Sequence, residues 1–349
     1  MTTVTPTSVT PTSVTLGPVR RLLLLGGGEL LYRLAALGRQ RGLAVDVVAA
    51  PRHGEENIPS AGKSLREALP GLGIKHVEIA EFAGPEARRL VGDIDHTLAL
   101  SIGAPWIFRA EAIGWFAGRL FNLHGTRLPV NRGGGGYSWQ ILMGDRLGCC
   151  QVHRVDGGLD TGPLLASEEF IFPPACRTPQ DYMAHAAGRY LALIGGLLET
   201  LTAAPRAFAL AGQPEYLATY WPRLHTPSQA WIDWRWQVPF IERFLCAFDA
   251  PHVGAQTLWN GRTVRLRRAF ANFGEGEFHP FQAGLVSRNN GRWLNIAAAG
   301  GSLVVEDLRD ENGAEVLTSV RPGDAFATPA EKLQGLANRV QFDALGLKK

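Results

Sequence analysis

The stretch Arg21-Leu-Leu-Leu-Leu-Gly26-Gly-Gly28-Glu29-Leu30, followed by Ala44-Val-Asp-Val-Val-Ala-Ala50, decides the fold class. Four consecutive leucines ending at glycine show no alternation, the pattern of a strand buried on both faces of a parallel sheet. The glycines turn the chain into the helical run Leu30-Leu-Tyr-Arg-Leu-Ala-Ala-Leu37, and the second apolar run closes a βαβ unit. They do not complete a dinucleotide fingerprint, because G-x-G-x-x-G from Gly26 needs glycine at 31 and Leu31 stands there. Ordered structure is expected from Arg20 onward.

Toward the C-terminus the pattern predicts a helix over Lys63–Leu69 and a strand over His76–Ile79. A buried strand over Thr97–Ile102 then ends in Gly103-Ala-Pro-Trp106-Ile-Phe108. Strands over Phe121–His124, Cys149–Val155 and Leu164–Phe172 follow, with a short helix at Ser138–Met143. Thr178 and Pro179 read as N-cap and first residue of a helix through Leu201. Strand and helix in alternation give a Rossmann-like, mostly parallel α/β domain over residues 19–205. Beyond Pro205 the composition changes. An aromatic-rich connector over 213–240 precedes hairpin signals at Asn260-Gly261, Asn290-Gly291, Gly300-Gly301 and Asn312-Gly313. Residues 206–349 are therefore expected to form a second, mainly β domain, a small antiparallel barrel or meander. In the other direction lies a near-duplicated Thr-Val-Thr-Pro-Thr-Ser segment without the basic head or apolar run of a secretory signal. Residues 1–18 read as a disordered tail.

The 349 residues are 46% apolar and 19% charged with a net charge of +3, a globular composition that argues against a dedicated nucleic-acid or membrane-surface binder. No apolar run reaches the about 18 residues of a membrane span, and a cytoplasmic location is expected. Cys149, Cys150, Cys176 and Cys246 follow no metal-ligand spacing, and no metal site is expected. Adjacent strand residues point to opposite faces, so Cys149 and Cys150 read as buried thiols.

The chemistry concentrates between Phe121 and Leu164. Asn122 and His124, two apart on a strand, point the same way at its carboxyl end, where open α/β sheets put ligands. The loop Asp156-Gly-Gly-Leu-Asp160-Thr-Gly-Pro163 adds carboxylates from a second strand end. Asn122 and a protonated His124 suit an oxyanion, and Asp160 suits acceptance of a nucleophile's proton. No nucleophile elbow is present.

Asn122-x-His124, the following Leu128-Pro129 and Arg132-Gly133, and the loop Asp156-x-Gly-Leu-Asp160-Thr-Gly-Pro163 resemble the formyltransferases that use 10-formyltetrahydrofolate. Ile232-Asp233-Trp234 and Ala247–Ala255 resemble the opening of that family's C-terminal barrel, so the resemblance covers roughly residues 20–345. It implies that Asn122, His124 and Asp160 are the catalytic triad, with Thr126 where the family usually has Ser. It further implies that the folate lies between Ile102, Gly103, Trp106 and Phe108 on one side and the His153–Asp160 loop, including Asp156, on the other.

For the amine, Pro129-Val-Asn131-Arg132-Gly133 resembles the nucleotide-sugar N-formyltransferases more than the methionyl-tRNA enzymes. This implies a nucleoside-diphosphate amino-deoxy sugar, with Thr126, Asn131 and Arg132 at the substrate and Arg132 or other basic loop residues at the diphosphate. Residues 206–349 hold 16 Lys+Arg against 14 Asp+Glu, little for gripping tRNA phosphates. Methionyl-tRNA and hydroxylamines such as hydroxyornithine are the alternatives. Gly133–Gly136 reads either as room for a bulky substrate or as a flexible loop. The aromatic connector reads as a partner surface, for instance in a homodimer, or as packing between domains.

Overall fold

The computed structural model describes residues 12–343 and 346–347. Its first unit is a seven-stranded sheet, ordered Leu164–Ile171, Leu147–Arg154, Leu120–His124, Thr97–Ile102, Arg21–Gly26, Ala44–Ala49, His76–Glu78. The last five run parallel; Leu147–Arg154 is antiparallel to Leu120–His124 and to Leu164–Ile171. The leucine run explains the layering. Leu22 and Leu24 face a core with Tyr182, Tyr190, Ile194 and Leu198 of the helix Pro179–Ala203, while Leu23 and Leu25 face Val48, Ala99 and Phe116. Each such fully buried side chain stabilises the fold by roughly 1.5–3 kcal/mol.

The second unit is an antiparallel sheet of Val286–Asn289, Leu294–Ala298, Gly301–Asp310, Arg262–Asn272, Ala255–Trp259 and Phe326–Ala327. Asn260 and Gly261 take φ of 49° and 74° in the hairpin turn, the conformation an Asn-Gly pair supplies cheaply. Phe326 pairs through Trp259 on one side and donates to the Gly284 carbonyl on the other, so the sheet closes on itself. The helix Val238–Ala247 joins its core to the first unit's through the helix Gly136–Met143.

Two sequence expectations change, and one open alternative is decided. The helix expected over Lys63–Leu69 is a two-residue strand, one turn of helix over Leu65–Ala68 and a 3-10 turn. The tail expected through residue 18 stops short: Thr12–Leu16 is a strand antiparallel to Arg206–Leu210, with Val14 opposite Phe208 and Leu16 buried. Residues 1–11 lie outside the described residues. The partner of Thr12–Leu16 lies far along the chain, so no local pattern reveals the pairing. In the connector, Trp231 and Trp234 are buried and the Trp221 ring sits 4.9 Å from that of Trp139, so much of its aromatic content is packing within the molecule. No helix among the described residues is long and apolar enough to cross a membrane.

Candidate active site

Register builds the first half of the site. The strand Leu120–His124 pairs with Leu147–Arg154 so that Asn122 lies opposite His153 and Gln151 opposite His124. Directly opposed residues share a face, and the Asn122 amide nitrogen lies 3.1 Å from Nε2 of His153. The sequence reading assigned His153 to the folate; the register puts it against Asn122, a relation that only strand pairing creates.

The loop from Asp156 to Pro163 builds the second half. Asp156 Oδ1 accepts from the Gly158 amide at 3.1 Å and the Thr161 hydroxyl at 2.6 Å, which commits that carboxylate to shaping the loop. A Cβ on Gly162 would lie 1.7 Å from the Arg154 carbonyl, so only glycine lets the loop close this tightly. Asp160 sits at φ 55°, and the curl turns its carboxylate inward. Oδ1 lies 3.5 Å from His153 Nε2, and Oδ2 lies 3.8 Å from His124 Nδ1 while accepting the Gly133 N–H at 2.9 Å.

His124 is 8% exposed, with Nε2 2.7 Å from the Asn131 carbonyl and 2.9 Å from the Thr126 hydroxyl. A carbonyl only accepts, so Nε2 carries a proton and Nδ1 is the nitrogen presented to Asp160. Burial lowers the His124 pKa, against the opposing pull of Asp160. The imidazolium expected from the sequence is therefore not the resting form; burial keeps the ring neutral until a proton arrives. Burial acts on Asp160 in the opposite sense, raising its pKa. The His153 contact, the His124 field and the Gly133 N–H outweigh that and hold it below the usual carboxylate range.

Arg132 differs from its sequence assignment. Its guanidinium donates to Gln213 Oε1 at 3.2 and 3.1 Å and pairs with Glu215 at 2.9 Å, and the residue is 7% exposed. Its guanidinium is thus held by partners within the protein. Thr126 and Asn131 are buried against His124 and serve its orientation. The glycine run is neither open room nor a loose loop. Arg132–Gly133 pairs in parallel with Tyr220–Trp221, and a Cβ on Gly133 would meet the Trp221 carbonyl at 2.2 Å. On Gly134 it would meet Arg223, and on Gly136 it would meet Thr126, at 2.9 and 2.6 Å.

On the expected folate side, Ile102 pairs with Gly26 at the strand ends, and Gly103 takes φ 59°. Trp106 is buried, its Nε1 bonded to the Ala80 carbonyl and its ring 5.6 Å from Phe82. It backs the wall rather than lining it. Phe108 is half-buried, and the sequence reading passed over Ile107, which is 85% exposed at the tip of this turn. Also missed was a basic group beside the Gly26–Gly28 turn. There His53 packs on Gly27, and burial together with the Arg52 and Arg223 guanidinium groups lowers its pKa to about 4. Glu56 faces the same pair of arginines, and Arg223 reaches this group from over Gly134.

His124, His153 and Asp160 also bring three potential ligand atoms within 4.8 Å of one another, a group no sequence spacing announces. Asn122 already shares His153 Nε2 and the Gly133 N–H already occupies Asp160, so two of the three groups have partners among their neighbours.

Residues 102–186 match the family model described as formyl transferase, and residues 225–319 match the formyl transferase C-terminal domain. Methionyl-tRNA formyltransferase of Roseiflexus sp. is 32% identical over 239 residues, 68% of this chain and 71% of that protein. The enzyme of that name from Dechloromonas aromatica is 30% identical over 217 residues, 60% of this chain and 66% of that protein. The chain thus spans about two thirds of the length of these curated relatives. Among solved structures, an N-formyltransferase from Helicobacter canadensis, in complex with folinic acid and dTDP-3-aminofucose, superposes with a TM-score of 0.63 at 14% identity. That match covers 82% of this chain and 99% of the other, a likeness of fold.

Proposed function

The chain belongs to the formyltransferase family, and from that premise we propose that it moves the formyl group of 10-formyltetrahydrofolate to the amine of a nucleotide-linked amino-deoxy sugar. The observation that carries the reaction is the convergence of the Asn122 amide, His124 Nδ1 and the Asp160 carboxylate at one strand-end face. The amine nitrogen attacks the formyl carbon, and the Asn122 N–H donates to the oxygen as it becomes an oxyanion. The proton lost by the amine passes to Asp160 and is shared with His124 Nδ1. An imidazolium therefore forms beside the oxyanion only as charge develops there. Collapse breaks the bond from the formyl carbon to N10, which leaves with a proton, giving the formamide and tetrahydrofolate. The folate is read between the Ile102–Phe108 turn and the His153–Asp160 loop, with Ile102, Gly103, Phe108 and Ile107 nearest.

For the amine donor, the charge pattern supports the sugar. In the barrel's basic stripe, Arg267 is paired with Asp249 and Asp307, and Arg265 and Arg268 donate to the carbonyls of Glu311 and Glu306. Within that stripe Arg267 is neutralised by its carboxylates, which weakens the grip on tRNA phosphates. Arg52 and Arg223 lie beside the turn that opens the helix Gly28–Gln40, a place where a helix N-terminus favours a diphosphate. The second reading, formylation of methionyl-tRNA, is favoured by the names of the curated relatives. The test is to incubate the protein with 10-formyltetrahydrofolate and a panel of dTDP- and GDP-amino sugars, methionyl-tRNA and hydroxyornithine, and to follow tetrahydrofolate release. Turnover with an amino sugar, weakened in Arg52→Ala, is expected; turnover with charged tRNA alone would overturn the sugar assignment.

A further inference from the structure

The segment joining the two units crosses both catalytic loops, and one of its side chains bonds to each. Gln213 Nε2 donates to the carbonyls of Asp160 and Gly162 at 2.9 and 2.8 Å. Its Oε1 accepts from Nε and Nη2 of Arg132. Carbonyls cannot donate and a guanidinium cannot accept, so the amide has a single workable orientation with every polar atom engaged. Arg132 in turn belongs to the loop that gives its Asn131 carbonyl to His124 and its Gly133 N–H to Asp160. Gln213 therefore ties the carboxylate loop to the imidazole loop. The tie falls on a residue at φ 55°, a conformation that non-glycine residues keep only where their surroundings over-determine it. The neighbouring Arg132–Glu215 pair cannot supply the same constraint. The Glu215 side chain is 78% exposed, and solvent-screened pairs hold geometry weakly.

We propose that Gln213 is a positioning residue for Asp160, fixing the carboxylate 3.8 Å from His124 Nδ1 from outside the loop that carries it. The kinetic consequence rests on the formyl-transfer reading, while the geometric one stands without it. Two variants separate the contacts. Gln213→Ala removes all of them; Gln213→Glu keeps the length and the Arg132 contact but loses both donors to the loop. Both are expected to lower kcat at least about tenfold while the KM for 10-formyltetrahydrofolate stays within about twofold, the signature of a displaced catalytic group. Glu215→Gln is expected to leave kcat unchanged. The second readout needs no substrate. The Asp160 carboxylate raises the His124 pKa, so in Gln213→Ala the His124 titration followed by ring 15N NMR should move down. If Gln213→Ala fails to fold, the same titration is read with Gln213→Met, which keeps the length but has neither the donors nor a new charge, and the same downward shift is expected. An unchanged His124 midpoint, or an equal kcat loss in Glu215→Gln, would overturn the proposal. Absence of turnover with every amine would sink the formyl-transfer reading and leave the titration to decide on Gln213.

Discussion

Nδ1 of His124 lies 3.8 Å from Oδ2 of Asp160, with the imidazole's other nitrogen tied to the Asn131 carbonyl. One nitrogen thereby holds the ring and the other faces the carboxylate, the nitrogen to which the proposed mechanism gives the proton. The gap exceeds a hydrogen bond, as in many sites whose catalytic contacts tighten only around substrate. Asn122→Ala, His124→Asn and Asp160→Asn are each expected to lower kcat at least about a hundredfold, the scale of oxyanion and acid–base groups. Steady-state rates of tetrahydrofolate release check this residue by residue, and a near-normal rate in any variant removes that residue from the mechanism.

His153 stands between Asn122 and Asp160 and touches both, at 3.1 and 3.5 Å. His153→Ala should slow turnover by about tenfold to a hundredfold through misplacement of its neighbours, with folate affinity nearly unchanged. A rise in folate KM at constant kcat would return His153 to the cofactor role that the sequence reading gave it.

The buried His53 makes stability pH-dependent. Its pKa, about 4 when folded against 6.5 when free, means that the unfolded chain binds the proton more readily. The neutral ring's contribution is thus fully present above pH 6.5 and is lost as pH falls from 6.5 toward 4. Thermal unfolding at pH 7, 6 and 5 should show a fall in Tm that is shallower in His53→Gln. Equal slopes would show that His53 does not titrate as its surroundings require.

The glycine run predicts a contrast in tolerance. Gly133→Ala puts a methyl group against the Trp221 carbonyl at φ 100° and should destabilise the fold by about 2–4 kcal/mol, whereas Gly157→Ala meets nothing within 4 Å and should change it by less than about 0.5 kcal/mol. Denaturant midpoints measure both. Equal tolerance at the two positions would mean that the connector does not clasp the loop.

The sequence by itself determined the layering and the shared face of Asn122 and His124. An unalternating leucine run demands burial on both faces, Asn-Gly turns demand hairpins, and Asn122 with His124 at strand spacing demands a shared face, because these are short-range consequences of backbone geometry. Tertiary structure decided what depends on partners distant in the chain. Cross-strand register brought His153 to Asn122, a returning connector turned Gly133–Gly136 from an open loop into a packed seam, and Gln213 engaged the Arg132 guanidinium. The ionisation of His124 belongs to the same class. Residue type supplies an imidazole that could be charged, but the dielectric around it, set by what the fold packs there, keeps it neutral.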